Sequence, residues 1–495
     1  MSLLLRDVRL GPAGPQVDVE VENGCIQGIE AASRSVRAGR AYLLEGQDLT
    51  VLPGLVDAHV HLTQWAQARR RVDVSGCHSP EAVVQTIRRH VTDRTTTGRR
   101  PDELVTAYGF RDSDWTSHPH ASLLERALPG MAILVISNDL HTAWVSPAAA
   151  ALAGGCLPES GVVRERAALD LMRRLPATSV DELDSMVSQA LEAAATRGVT
   201  GVLDFEVADN VADWTRRSRR GDAPFPVGVV TTVYPEFLDA VISAGLREGD
   251  SLPGCRNDVK IGPLKVFVDG SLNTGTALCH EPYIGGEPEH RGDLTTSPLE
   301  LEELMHRAWR SGIGSAIHAI GDRAVQIALD GFERVACRGR IEHAQLMRPD
   351  DIDRMARLPV VAGIQPVHGL DDRAVTERVW ADRVRYAFPH GSLVHAGVPV
   401  EIGSDAPVSP LDPWLGIAAA VHRTINDEPP WQPAQRMPLA AALAAAAGGR
   451  TQIRGGDSAD LVVIEGDPAQ MSGAELAKVR VVGTFRQGKA THIEV

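Results

Sequence analysis

Long apolar runs, paired cysteines and lysines are all scarce in this chain, and each scarcity removes a class of protein. No apolar stretch reaches the 18 or so residues that a membrane-spanning helix needs. The opening MSLLLRDVRLGPAG holds three leucines and then an arginine, which is not the apolar core of a secretory signal, so a cytoplasmic location is expected. The six cysteines (Cys25, Cys77, Cys156, Cys255, Cys279, Cys337) lie far apart with no CxxC pair. They read as reduced, mostly buried thiols rather than a disulfide framework or a zinc knuckle. Positive charge is in deficit, with Lys+Arg 50 against Asp+Glu 64 and a net charge of −14. That excludes a nucleic-acid or anionic-membrane partner, which would need a basic face to displace counterions. The expected partner is a small neutral or cationic molecule, and the expected assembly a homodimer.

What is present is an ordinary globular composition, 43% hydrophobic and 23% charged over 495 residues, enough for one large domain and one small one. The first 50 residues alternate apolar and polar positions in the short runs LLLRDVRL, VDVEVENGCIQGIE and AYLLEGQDLTVL, the pattern of short antiparallel strands. SADLVVIEGDP and VRVVGTFRQGKATHIEV repeat it at the other end. Residues 1–52 and 452–495 are therefore expected to form one small β-sandwich, with residues 53–451 between its halves. Those contain eight β-type runs, at 54–62, 199–206, 226–234, 261–270, 314–320, 340–346, 359–368 and 398–406, most of them followed by a helical stretch. Eight βα units close a (β/α)8 TIM-type barrel, and α/β is the expected class. Roughly 130 residues separate the first run from the second, too many for a loop. A folded insertion at about 64–195 is expected there, placed to roof the site.

Ligand-type residues gather at the ends of these runs. His59 and His61 close GLVDAHVHL, and strand alternation turns both imidazoles to one side, where they can chelate a cation or simply form a polar strand end. His318 ends GSAIHAIGD, His343 ends RIEHAQ, and Asp405 ends VEIGSDAP, all at the C-terminal ends where barrel active sites assemble. Each has a bland reading as a rim histidine or a helix N-cap, but several at one end of one barrel favour a site. Lys265 is the most telling. The chain has four lysines (Lys260, Lys265, Lys478, Lys489), and this one sits inside the apolar run GPLKVFVDG. A buried ammonium is costly, so Lys265 is either paired with a carboxylate such as Asp269 or Asp405, or is a neutral amine that adds carbon dioxide to become a metal-bridging carbamate.

The ordered motifs VLPGLVDAHVHL, KVFVDGSL, HAIGDRAV, RIEHAQ, GIQPVH and GSDAPV resemble the metal-dependent amidohydrolase superfamily, in its amidohydrolase-3 branch with the N-substituted formamide deformylase-like enzymes. The resemblance spans essentially the whole chain. It implies that His59 and His61 bind one divalent ion and His318 and His343 another, that carboxylated Lys265 bridges them, and that Asp405 is both ligand and proton acceptor. Zinc is the expected metal. A metal-bridging hydroxide would then cleave a C–N amide-type bond other than a peptide bond. His141 in NDLHTAWVS matches a position that would meet substrate and stabilise an oxyanion, although it can equally cap the next helix. Asn273, Arg323 and His368 are the other substrate-binding candidates. Two departures matter: Asn273-Thr274-Gly275 stands where a Gly-Ser-Arg stretch is usual, removing a cation, and Gly321 stands three residues after His318, where a deaminase of this type carries glutamate. The alternatives are a deaminase or lactone hydrolase on the same scaffold, and a non-catalytic relative, which would have lost ligands.

Overall fold

A computed structural model describes residues 2–32, 41–95, 104–110, 115–137, 142–154, 158–175, 178–220, 224–255, 259–287, 289–426 and 428–494. The chain divides into two compact units, Met1–Trp65 with Val187–Val495, and Ala66–Met186.

The first unit is built on eight parallel strands that pair in sequence order: β1 (Leu55–Val60), β2 (Val199–Asp204), β3 (Gly228–Val233), β4 (Val259–Phe267), β5 (Ser315–Ala319), β6 (Gly339–His343), β7 (Val360–Ile364) and β8 (Val400–Ile402). Each falls within, or within two residues of, an apolar run read from the sequence, because a strand buried on both faces needs continuous hydrophobicity rather than alternation. Helices cross back between them. Asp322–Val335, after β5, shows why: it buries Ala324, Val325, Ala328, Leu329 and Phe332, a stripe at helical spacing.

First and last strands meet in a seam of few bonds, the bridge between Val60 and Ala406 and the bonds His61 N–H to the Ala406 carbonyl (2.9 Å) and Asp405 N–H to the His59 carbonyl (2.7 Å). The barrel is thus nearly closed, in the TIM manner.

In a parallel ladder, residues in register share a face. Lys265 pairs with Ala316, and Ala316 with Arg340; Phe267 pairs with His318, and His318 with Glu342. Glu342 in turn stands opposite Gly363, and Gly363 opposite Glu401. One inward face therefore collects a lysine, an arginine, two glutamates and a histidine, an expensive set for a barrel interior.

Both chain ends join one further sheet of eight strands, in which Leu49–Pro53 pairs with Ser2–Leu10 and with Leu461–Glu465. Its core holds Leu3, Leu5, Val19, Val51, Leu461, Val463 and Phe485. The second unit carries its own five-stranded sheet, ordered Val162–Arg164, Thr142–Val145, Ile133–Ser137, Val105–Phe110 and Val72–Asp73. Two separate apolar clusters, one around Val105, Ala107 and Trp144 and one around Leu134, Ala143 and Leu171, cover its faces.

The seam sets a packing limit at Gly403, where a Cβ would meet both the nitrogen and the Cβ of His59 at 2.5 Å. Gly403→Ala is expected to cost about 1–3 kcal/mol through overpacking, read as a lower urea midpoint. An unchanged midpoint would sink the claim that β1 and β8 touch this closely.

Candidate metal centre

His59, the fifth residue of β1, is almost wholly buried, and His61 follows just past the strand end. His61 Nε2 lies 3.2 Å and His59 Nε2 3.5 Å from Asp405 Oδ1. These three residues form one group whose donor atoms could share an ion. On the other oxygen of Asp405, His368 Nε2 stands at 3.9 Å, and His343, His368 and Asp405 form a second such group. His343 is aimed inward by its backbone. Alternation would send it to the face opposite Glu342, but φ of 74° breaks the strand at that residue, and its ring comes within 4.5 Å of the His318 ring and 5.0 Å of the His59 ring, centroid to centroid. Asp405 likewise has φ of 57°. Left-handed backbone is uncommon in such residues and clusters at functional sites.

The hydrogen bonds decide which nitrogen each histidine has to spare. His59 Nδ1 is 2.6 Å from Glu342 Oε2, His343 Nδ1 is 2.8 Å from Gln365 Oε1, and His318 Nε2 is 3.0 Å from the Gly270 carbonyl. His59 Nε2, His343 Nε2 and His318 Nδ1 are left for other partners, with the second nitrogen anchored as metal-binding imidazoles require. Burial lowers the pKa of His59 to about 4 and of His318 to about 3, with the Lys265 charge adding to both, and burial holds His343 well below its usual value. All three are neutral at pH 7, the ligating form.

Lys265 is buried, and its Nζ has no hydrogen-bond partner among the described residues. It sits 4.5 Å from the Phe205 ring centroid and 4.9 Å from that of Phe267. Burial pulls its pKa down to about 8. The pairing with Asp269 considered from the sequence is not what that carboxylate does. Asp269 accepts from the backbone N–H groups of Leu278 (2.9 Å), Ile320 (3.1 Å) and Gly321 (2.9 Å), clamping the segment after β4 onto the turn after His318.

The remaining candidates divide: two hydrogen-bond elsewhere, one joins the cluster and one lies outside the described residues. Asn273 Nδ2 donates to Asp372 at 2.7 Å, and Arg323 bonds Gln326 of its own helix. Neither hydrogen-bonds a ligand candidate among the described residues. His368 joins the cluster itself. His141 falls outside the described residues.

Sequence reasoning missed Glu342, Arg340, Asp57 and Gln365. Asp57 Oδ1 accepts from His59 N–H (3.1 Å) and Ser404 N–H (2.9 Å), stitching β1 to the turn that carries Asp405. For Glu342 and Arg340 a signal was present, since both are charged residues within a run read as a barrel strand, the kind of placement that singled out Lys265.

Donor nitrogens buried without partners beside a carboxylate, at the C-terminal end of a parallel barrel, fit a divalent cation. Fold and site together define a metal-dependent hydrolase. The Amidohydrolase family model matches residues 46–492, and the chain belongs to that family. It is 27% identical to "Putative amidohydrolase YtcJ" of Bacillus subtilis, over 96% of this chain and 95% of that one. It is 26% identical to "N-substituted formamide deformylase" of Arthrobacter pascens, over 95% of each. Among solved structures, an uncharacterized metal-dependent hydrolase from Pyrococcus furiosus shares the fold with a TM-score of 0.76 at 24% identity, covering 95% of this chain and all of that one.

Asp269→Ala would strip the acceptor from two buried N–H groups, Ile320 and Gly321, and from the half-buried one of Leu278. A destabilisation on the order of 3 kcal/mol or more is expected, together with weaker metal retention as His318 loses its footing. A melting temperature equal to that of the parent would refute the clamp.

Proposed function

We propose that this protein hydrolyses a C–N amide-type bond, other than a peptide bond, in a small molecule, using two divalent ions, zinc by preference. The observation that carries the reading is the gathering of His59, His61, His343 and His368 about Asp405, with the His318 ring beside that of His343, in a barrel that also buries a partnerless Lys265 Nζ. The likeness over nearly full length to a relative named as a formamide deformylase supports the bond class.

In this reading His59 and His61 hold one ion with Asp405 Oδ1, and His318 and His343 hold the other. Such a pair, when bound, acts as Lewis acid to the scissile carbonyl and lowers the pKa of water to about 7. Asp405 accepts the proton of the attacking water and returns it to the leaving nitrogen. It is suited to this because, although burial opposes its ionisation, the surrounding imidazoles hold its pKa well below the usual carboxylate range. Lys265 takes up carbon dioxide at its neutral amine, releasing one proton, and so trades an unpaired buried ammonium for a carbamate with two oxygens. Substrate selection falls to residues around the rim, with Asn273 and Arg323 as candidates.

The direct test is turnover by the zinc-loaded protein across N-formyl amines, cyclic ureas, dipeptides and lactones. Activity confined to lactones or to dipeptides would overturn the bond assignment. Asp405→Asn keeps size and one oxygen donor but cannot take the proton. Metal should largely stay while kcat falls about a hundredfold or more; near-normal turnover with both ions bound would place the base elsewhere. For the carbamate, Lys265→Ala should lose part of its bound metal, and short carboxylic acids should restore some of it. Full metal content in that variant without any added acid would argue for a plain lysine.

A further inference from the structure

Beneath the ligand cluster a column of charge runs through the barrel. Glu342 is completely buried, with Oε2 2.6 Å from His59 Nδ1 and Oε1 accepting from Arg340 Nε. Arg340 spends its other donors below, Nη1 on Glu401 Oε2 at 2.7 Å and Nη2 on the Ala58 carbonyl at 3.1 Å. Across the ladder from Glu342 stands Gly363. Its missing side chain is the space the carboxylate occupies: a Cβ there would overlap Glu342 Oε2 and press on Arg340 Nη2 at 2.8 Å.

Stability does not account for this column. A buried arginine–glutamate pair commonly does no better than apolar side chains of the same volume, because desolvating both charges offsets their attraction. Its geometry is directed elsewhere. An imidazole can offer a metal either nitrogen, and a carboxylate against Nδ1 draws the proton there and leaves the Nε2 lone pair free. His59 Nε2 is indeed without a hydrogen-bond partner among the described residues and faces Asp405 Oδ1. The ring is also stacked on Phe205 at 3.9 Å, 12° from parallel. Tautomer, direction and plane of His59 are all fixed.

We propose that Glu342 is the positioning residue of the metal site, setting the tautomer and aim of His59, and that Arg340, Glu401 and the vacant side of Gly363 hold it in place. This rests on the reading of His59 as a metal ligand. It explains why a glycine and an Arg-x-Glu-His run lie side by side in the barrel wall, which ligand chemistry alone does not require.

The test is zinc affinity of the full-length protein, measured by competition with a chromophoric chelator, beside thermal melts by circular dichroism. Glu342→Gln keeps the volume but presents an NH2 to either Arg340 or His59. It should weaken zinc binding about ten- to a hundredfold, the usual cost of losing an outer partner of a ligating histidine. Gly363→Ala changes no ionisable group, yet it should weaken zinc to a similar degree by displacing Glu342. Should Glu342→Gln fail to fold, the double variant Arg340→Met with Glu342→Leu replaces the pair by apolar volume and should fold with the same loss of affinity. His59→Ala serves as the control. If it loses zinc while the folded Glu342 and Gly363 variants bind as tightly as the parent, the positioning role is wrong and the metal centre stands. If His59→Ala also binds zinc normally, the metal assignment itself falls.

Discussion

The seam between the first and last barrel strands is the constraint from which the site follows. Asp405 N–H reaches the His59 carbonyl, His61 N–H reaches the Ala406 carbonyl, and Asp57 takes N–H groups from both His59 and Ser404. Residues nearly 350 positions apart are thereby fixed within hydrogen-bonding distance. Closing the barrel and assembling His59, His61 and Asp405 are the same event. The entropy of bringing the two ends together is met by packing of the whole barrel, so the candidate ligands are gathered by the fold itself. Asp57 shows the strain of this arrangement: burial pushes its pKa up to about 6 even though it accepts two backbone N–H groups.

What the sequence made legible was whatever is local. Eight buried strands announce themselves as apolar runs, and a ligand at a strand end stands out against them. Lys265 was conspicuous because a lysine-poor chain had put one where only apolar residues belong. Apolar stretches between the first two barrel strands likewise coincide with strands, Val105–Phe110 and Ile133–Ser137. What stayed hidden was pairing across distance. Glu342 lay in plain view inside RIEHAQ, but its meaning depends on His59, 283 residues away, and on Gly363 being a glycine. Asp269 was one of two carboxylates considered as an alternative partner for Lys265, and it instead takes three backbone N–H groups, a pairing no sequence pattern announces. His343 seemed an ordinary strand end, whereas it faces the site only because the backbone turns left-handed there.

The charges inside the barrel form a graded series rather than a set of equal pairs. Glu342 is held down to about 2: burial alone would raise it, but Arg340, His59 and Lys265 together outweigh burial. Arg340 remains charged between two carboxylates, Glu342 and Glu401. Above them His59, His318 and His343 are kept neutral, chiefly by burial. This order suits metal capture. A ligand histidine that must first lose a proton makes binding depend on pH and subtracts that work from affinity. At His59, His318 and His343 the fold favours the neutral form, and at His59 the nearby Glu342 and Asp405 carboxylates, which pull the other way, do not overcome burial.

Lys265 is the exception in that series, and the exception is informative. Glu342, Arg340, His59 and Asp269 each have hydrogen bonds that account for them, whereas Lys265 Nζ faces two aromatic rings and no acceptor among the described residues. Aromatic faces can attract an ammonium, but two such contacts offset only part of the cost of burying it. Under the proposed function that cost has a use, because a neutral Lys265 amine could add carbon dioxide. Burial favours the neutral amine that such a reaction would need, lowering the Lys265 pKa to about 8.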